Sequence, residues 1–267
     1  MRKHKITRIV AMHYVKLTYR SALFLLTLGV YIHNRLRGSM EPFGGLENNR
    51  LLMSAAWLVF FFEMVLRFFP DRVESMGCQK QFRRNYSPRG TNADRLSARP
   101  AKTSSVIAVI ASWLALNGAI AALYFINIID AGILLLVALL YSVCDVICIL
   151  FFCPFQTWFL KNKCCATCRI YNWDYAMMCT PLLFIKNVYA LSLAALSLIL
   201  LIEWEIMLYL HPERFCEATN STLSCAACRE KLCHHKRQLR RFLEDGKFNL
   251  TGNALFKQVR DKTRRHK

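Results

Sequence analysis

Long apolar runs that alternate with short basic segments constrain this chain more than any other feature of its sequence. A bilayer core of about 30 Å requires roughly 20 apolar residues in a helix. The runs lie near residues 17–32, 51–69, 104–127, 131–152 and 181–202, and 55% of the chain is apolar. This segregation predicts an all-α, polytopic transmembrane helical bundle of about five spans in residues 1–210. Residues 211–267 are predicted to form a short, Cys-rich, basic tail.

The strong positive charge has two explanations, nucleic-acid binding and membrane flanking. The chain carries 36 Lys and Arg residues against 17 Asp and Glu residues. Basic residues that flank spans hold loops at an anionic membrane face, which accounts for the charge without nucleic acid. We therefore expect the lipid bilayer to be the main partner, with anionic lipid headgroups at the basic tail, and we do not expect nucleic-acid binding.

The distribution of basic residues predicts the orientation. Within about 20 residues of a span, the segments before spans one, three and five hold 17 Lys and Arg residues, against 5 on the other side. This predicts a cell-membrane protein with a cytoplasmic N-terminus and an external tail. No small-residue cleavage site follows the first run, which predicts an uncleaved anchor. The mixed composition of residues 170–180, which include Asn172 and Asp174, predicts an interfacial helix that leads into the last span. The alternative is a sixth pass, in which a helical hairpin over 171–210 turns at Lys186 and Asn187 and returns the tail to the cytoplasm.

Twelve cysteines are unevenly spaced along the chain. Thiolates at such spacings can surround a zinc ion or hold an iron–sulfur cluster, and two disulfides are the alternative. The tail contains the set most suited to one metal ion, next to His234 and His235: Cys216, Cys225, Cys228 and Cys233. A second possible cluster follows the fourth run: Cys164, Cys165 and Cys168.

Charged residues also occur inside the apolar runs: Glu63, Arg67, Asp145 and Lys186. A charge in the bilayer core costs at least about 2.5 kcal/mol, so each requires a partner or a water-filled cavity. The directions of the predicted spans bring all four into one leaflet, where their charges cancel. This predicts an intramembrane polar cluster, which either fixes helix register or binds a headgroup, ion or proton. Cys148 shares the helix face of Asp145, which leaves a redox role open.

Motifs that would identify an enzyme are absent from the sequence, including phosphate-binding Gly-rich loops, G-x-S-x-G and H-E-x-x-H. We therefore interpret the chain first as a non-enzymatic multi-pass membrane protein with a metal- or disulfide-stabilised tail. One alternative is a membrane thiol–disulfide oxidoreductase or iron–sulfur electron carrier. Another is one subunit of a transporter that works as a homo-oligomer, because five spans are few for a complete transport path.

Overall fold

The computed structural model describes residues 7–37, 50–70, 75–91, 98, 101–162, 164–228, 232, 233 and 236, with side chains for all of these except 50–53 and 55. Every regular element in the described residues is helical. The α-helices are α1 (Arg8–Leu36), α2 (Arg50–Phe68), α3 (Met76–Gln79), α4 (Thr103–Phe125), α5 (Ala131–Leu150), α6 (Asp174–Cys179) and α7 (Val188–Leu210). Shorter 3₁₀ turns include Tyr171–Trp173 and Thr180–Phe184, and a π-helical turn covers Phe155–Phe159.

Polar residues begin three of the long helices. The side-chain oxygens of Thr7, Asp130 and Asn187 each accept a hydrogen bond from a backbone N–H in the first turn of α1, α5 and α7. Such N-caps satisfy donors that have no partner inside the helix. The tight turn between α4 and α5 contains Asn127 at φ 60°, a left-handed conformation that asparagine tolerates better than most residues.

The helices run between two ends of the bundle, which we call end A and end B. End A holds the start of α1 and the end of α5, where Val10 packs in one cluster with Val146. End B holds the end of α1 and the start of α5, where the Tyr31 hydroxyl donates to Asp130 Oδ2 at 2.9 Å. A Cβ atom at Gly132 would lie 2.7 Å from the Tyr31 ring. Helices α1 and α5 are therefore antiparallel and closely packed.

Residues 171–184 return the chain from end A to end B, and we call them the broken crossing. They consist of a 3₁₀ turn, the six-residue α6 and a second 3₁₀ turn that contains Pro181. The Thr180 hydroxyl accepts a 3.2 Å hydrogen bond from the Trp113 indole of α4, and Phe184 contacts Phe125 near end B. The segment is largely buried, so the prediction of an interfacial helix over 170–180 is wrong.

The last predicted span is also shifted. Helix α7 begins at Val188 and extends to Leu210, whereas the apolar run predicted a helix over 181–202. The broken crossing and α7 form a hairpin that turns at Lys186 and Asn187, the arrangement of the sixth-pass alternative.

Among the described residues, four helices are long and apolar enough to cross a membrane: α1, α4, α5 and α7. The prediction of a helical, membrane-spanning architecture is confirmed at that level. Helix α2 connects the same two ends, since Trp57 donates to Ser192 near the start of α7 and Arg67 pairs with Asp174 near end A.

The described part of the tail folds back onto end A. Arg214 donates to the Gln81 carbonyl at 2.8 Å, and Leu232 packs in the same cluster as Val10. The described tail and the start of α1 therefore lie at the same end of the bundle. The five-span count instead predicted opposite ends for them, because it omitted the return that the hairpin adds.

Candidate functional site

A buried arginine joins three helices near end A. The Arg20 side chain is 1% exposed. It donates to Glu63 Oε2 at 2.5 Å, to Asp145 Oδ2 at 3.0 Å and to the Ser142 carbonyl at 2.9 Å. Helices α1, α2 and α5 therefore meet at one guanidinium group.

Two further side chains complete the surroundings of Glu63. The Tyr175 hydroxyl donates to Glu63 Oε2 at 2.7 Å, and Lys16 Nζ lies 3.9 Å from Glu63 Oε1. Tyr175 belongs to α6, so the broken crossing shares this carboxylate with α1 and α2.

Arg67 connects α2 to the broken crossing more directly. It donates to Asp174 Oδ2 at 2.6 Å and to Asn172 Oδ1 at 2.7 Å. Its guanidinium carbon lies 4.8 Å from the centroid of the Tyr175 ring, within the range of a cation–π interaction. We call the whole set the charge network. Its three cations and three carboxylates cancel in formal charge. The network consists of seven residues: Lys16, Arg20, Glu63, Arg67, Asp145, Asp174 and Tyr175.

The charge network differs from the polar cluster predicted from the sequence. The structure brings Glu63 and Asp145 together, but the cation between them is Arg20, which the sequence analysis left out of the cluster. Arg67 pairs with Asp174, which was also missed. Lys186 is exposed at the hairpin turn near end B and is not part of the network. The sequence placed Lys186 inside the last span because that span was predicted to begin near residue 181, whereas α7 begins at Val188.

Five cysteines line one cavity of about 140 Å³ beside the charge network, and we call it the thiol cavity. Asp145 and Asp174 form part of the same lining. Four of its other lining residues are aromatic: Trp113, Tyr141, Phe155 and Tyr171. The cysteines come from α5 and from the segment that follows it: Cys144, Cys148, Cys153, Cys165 and Cys168.

Hydrogen bonds order the thiols at the end-A side of this cavity. The Cys148 and Cys153 thiols line the same side of the cavity and influence each other's pKa, and the Gln156 backbone N–H donates to Cys153 Sγ at 3.4 Å. Lys236 Nζ lies 3.5 Å from Cys165 Sγ and donates to the Cys148 carbonyl at 2.7 Å. A tail residue therefore reaches the thiol cavity, although the tail is some 80 residues away in sequence.

The environment separates the acidities of two of these thiols. The neighbouring Cys148 thiol lowers the pKa of Cys153 to about 7, against the opposing effect of burial and with help from the Gln156 backbone N–H and the Lys236 charge. Burial instead raises the pKa of Cys168, although Lys80 opposes the shift. At neutral pH, Cys153 is therefore the more reactive thiolate of the two.

The predicted metal sites are not assembled in the described residues. All twelve cysteines are described and none is disulfide-bonded. Within the described part of the chain, no three His, Cys, Asp or Glu side chains form a group that could hold a metal ion. This applies to both predicted sets, and His234 and His235 lie outside the described residues. The described geometry therefore does not support zinc or iron–sulfur binding at either predicted set. The first set is Cys216, Cys225, Cys228 and Cys233, and the second is Cys164, Cys165 and Cys168.

Comparison of the chain with protein-family models, curated proteins and solved structures finds no match. The charge network and the thiol cavity therefore carry the functional argument.

Proposed function

We propose that the chain is an integral membrane protein that crosses the bilayer six times and exchanges electrons through a dithiol, Cys148 and Cys153. The observation that carries this proposal is the thiol cavity, in which five cysteines line one space and Cys148 and Cys153 lie on its end-A side beside Lys236. Among the interpretations of the sequence, this geometry favours the thiol–disulfide carrier over a metal-stabilised tail.

The two thiols divide the chemistry between them. The Cys153 thiolate attacks one sulfur of a disulfide, forms a mixed disulfide and releases the first thiol. Cys148 then loses its proton and attacks Cys153 Sγ, which forms the Cys148–Cys153 disulfide and releases the second thiol. Two electrons and two protons leave the dithiol and produce two thiols from one disulfide, and the exchange runs in either direction.

Lys236 favours this chemistry electrostatically. Its ammonium group lies beside the Cys148 backbone and the Cys165 thiol, and its charge helps to keep Cys153 ionised. A cation near a cysteine is a common feature of reactive thiols.

The charge distribution supports a cytoplasmic end A. The described Lys and Arg positions at end B are Arg35, Arg37, Arg50 and Lys186. Cytoplasmic loops are enriched in basic residues, so the more basic end is expected to face the cytoplasm. The cytoplasm keeps most thiols reduced, so a disulfide at end A would be transient. End A carries the larger set: Arg8, Lys80, Arg83, Arg84, Arg89, Lys102, Lys161, Arg169, Arg214 and Lys236.

Alkylation of the protein in lipid nanodiscs as a function of pH tests the reactive thiol. We expect the iodoacetamide reaction of Cys153 to reach half its maximal rate near pH 7, because its pKa is lowered to about 7. Cys168 lines the same cavity and serves as the matched control, and its reaction should require a higher pH because burial raises its pKa. Peptide mass spectrometry resolves the two sites. Identical pH profiles for the two cysteines would contradict the proposal.

Treatment of the reduced protein with glutathione disulfide tests the pair itself. We expect a Cys148–Cys153 bridged peptide, and we expect Cys148→Ser to leave Cys153 glutathionylated instead. Cys144→Ser is the matched control, since Cys144 lies on the same helix and should leave the bridge intact. If Cys153 bridges to other cysteines while Cys148 stays reduced, the assigned pair is wrong.

A further inference from the structure

A second cavity lies between α4 and α7, and we call it the lateral groove. It has a volume of about 380 Å³ and contains Ile110, Leu114, Leu183 and Leu198 in its lining. These four side chains are between 41% and 62% exposed, on helices long and apolar enough to cross a membrane or on the crossing between them. The groove therefore faces the hydrocarbon of the bilayer, and a molecule that enters it comes from the lipid phase.

The lateral groove meets the thiol cavity at two side chains. Trp113 and Met177 belong to the lining of both spaces. The Trp113 indole is held by its hydrogen bond to Thr180, whereas methionine is unbranched and adapts easily to the shape of a ligand. A flat molecule in the groove would thus be separated from the thiols by one ordered aromatic ring and one flexible side chain.

Tyr141 indicates which chemical group is recognised beyond this boundary. Its hydroxyl oxygen is buried and has no hydrogen-bond partner among the described residues. The Tyr141 ring lies 4.9 Å from the Trp113 ring, and both residues line the thiol cavity. A buried hydroxyl donor without a partner is costly, so a ligand with an acceptor oxygen and a flat ring would complete this site.

We infer that the lateral groove and the thiol cavity together bind a membrane quinone, which accepts the electrons of the dithiol. The inference rests on the proposed function. The Cys148 and Cys153 thiols form one S–S bond, and their two electrons and two protons convert the quinone to a quinol. The quinone carbonyl accepts from Tyr141, its ring lies against Trp113, and its apolar chain occupies the lateral groove. Soluble thiols then reduce the disulfide and restore the dithiol.

The reaction of the reduced protein in nanodiscs with decylubiquinone, used as the probe, tests this inference. We expect one quinol for each Cys148–Cys153 bridge, measured by the loss of quinone absorbance and by peptide mass spectrometry. Tyr141→Phe should raise the KM for decylubiquinone about fivefold, as expected for one lost hydrogen bond. Tyr124→Phe is the matched control, because Tyr124 lies on α4 outside both linings, and its KM should match that of the unmodified protein.

A pair of α4 variants tests the route of entry. Leu114 lines the lateral groove and Leu116 does not, although both leucines are exposed. We expect Leu114→Trp to slow quinone reduction roughly tenfold, a change of about 1.4 kcal/mol, and Leu116→Trp to leave it unchanged. Equal rates in the two variants would overturn the route.

The outcomes separate the two proposals. Oxidation of the dithiol by glutathione disulfide but not by decylubiquinone would overturn the quinone inference and leave the thiol function standing. A dithiol that neither reagent oxidises to a Cys148–Cys153 bridge would overturn both.

Discussion

Helix α5 and the broken crossing both connect end A to end B, but they do so by different means. The 20 residues of α5 form one regular helix of about 30 Å, with its backbone hydrogen bonds made internally. The 14 residues of the broken crossing cover about 25 Å, because 3₁₀ turns rise about 2.0 Å per residue. Fewer residues cross almost the same distance, at the cost of irregular backbone.

The two elements also differ in what surrounds them. Helix α5 packs against α1 over most of its length, and Gly132 permits the close approach of Tyr31. The broken crossing contributes to the lining of the thiol cavity, of the lateral groove and of a third, apolar cavity near end B. Side-chain partners on neighbouring helices hold it in addition to core packing, in which Tyr175, Met178, Cys179 and Leu182 are buried. Because its backbone is irregular and borders three cavities, we expect the broken crossing to be the adaptable wall of the site and α5 to be the rigid wall.

The largest effect is expected from Arg20, which anchors α5 to α1 and α2. Arg20→Met leaves Asp145 without its cation and Glu63 with only the more distant Lys16, and we expect it to lower the free energy of unfolding by about 3–5 kcal/mol. Thermal unfolding in detergent micelles measures the change. Arg35→Met is the control, since that side chain is 64% exposed and should change stability by less than about 0.5 kcal/mol. Equal losses in the two variants would show that Arg20 is not the anchor.

Arg67 should have the next largest effect, concentrated on the broken crossing. Arg67→Met leaves Asp174 without its cation, and we expect a loss of about 3 kcal/mol, at the low end for a broken buried pair. Hydrogen exchange should accelerate at the backbone amides of residues 174–184 more than at those of α5. Adding Asp174→Asn removes the uncompensated charge and should restore part of the stability. Uniform acceleration in both elements would contradict the separate anchoring proposed here.

Gly132 tests the close packing of the rigid wall. Gly132→Ala introduces a Cβ atom 2.7 Å from the Tyr31 ring, and we expect a loss of about 1–3 kcal/mol from the forced separation of α1 and α5. Gly118→Ala is the matched control, because no heavy atom lies within 4 Å of its Cβ position. Alanine is the better helix former, so that variant should be neutral or more stable by up to about 1 kcal/mol. Thermal unfolding of the pair measures the difference.

Thr180 should give the smallest effect of the four. Thr180→Val removes the acceptor of the Trp113 indole and keeps the side-chain shape, and we expect a loss of about 1 kcal/mol. Thr27→Val is the control, because the Thr27 hydroxyl bonds to the Leu23 carbonyl of its own helix. Trp113 fluorescence should change with Thr180→Val and stay constant with Thr27→Val. A similar change in both would mean that the hydrogen bond does not position the indole.

The sequence predicted the regular helices well, because an apolar run of about 20 residues has few other stable structures in a membrane. Predicted and observed bounds of α2, α4 and α5 agree within about two residues. Helix α1 begins nine residues before its apolar run, since Thr7 caps it while Lys16 and Arg20 lower the local hydropathy. Because the predicted first span began at residue 17, Arg20 fell near its end, and its central position in the charge network was missed.

The broken crossing and the thiol cavity required tertiary information. Asn172 and Asp174 made residues 170–180 resemble an interface segment, because their partner Arg67 is more than 100 residues away. The sequence linked Cys148 to Asp145 by helical spacing. It gave no signal that Lys236 would reach the Cys148 carbonyl, since that contact depends on the return of the tail to end A.

The hairpin of the broken crossing and α7 has a consequence for biosynthesis. A nascent chain that has emerged only as far as Asn187 carries Asn172 and Asp174 in a segment too short and too polar to partition into lipid alone. Helix α7 must follow before the hairpin can enter the bilayer, and Arg67 must already be present to receive Asp174. In the proposed six-pass topology, the hairpin therefore inserts after α2 has been synthesised, and Lys186 crosses the membrane after the helices that precede it. A released chain truncated after Asn187 should keep position 186 accessible from the face of end A, whereas a chain extended beyond Leu210 should not.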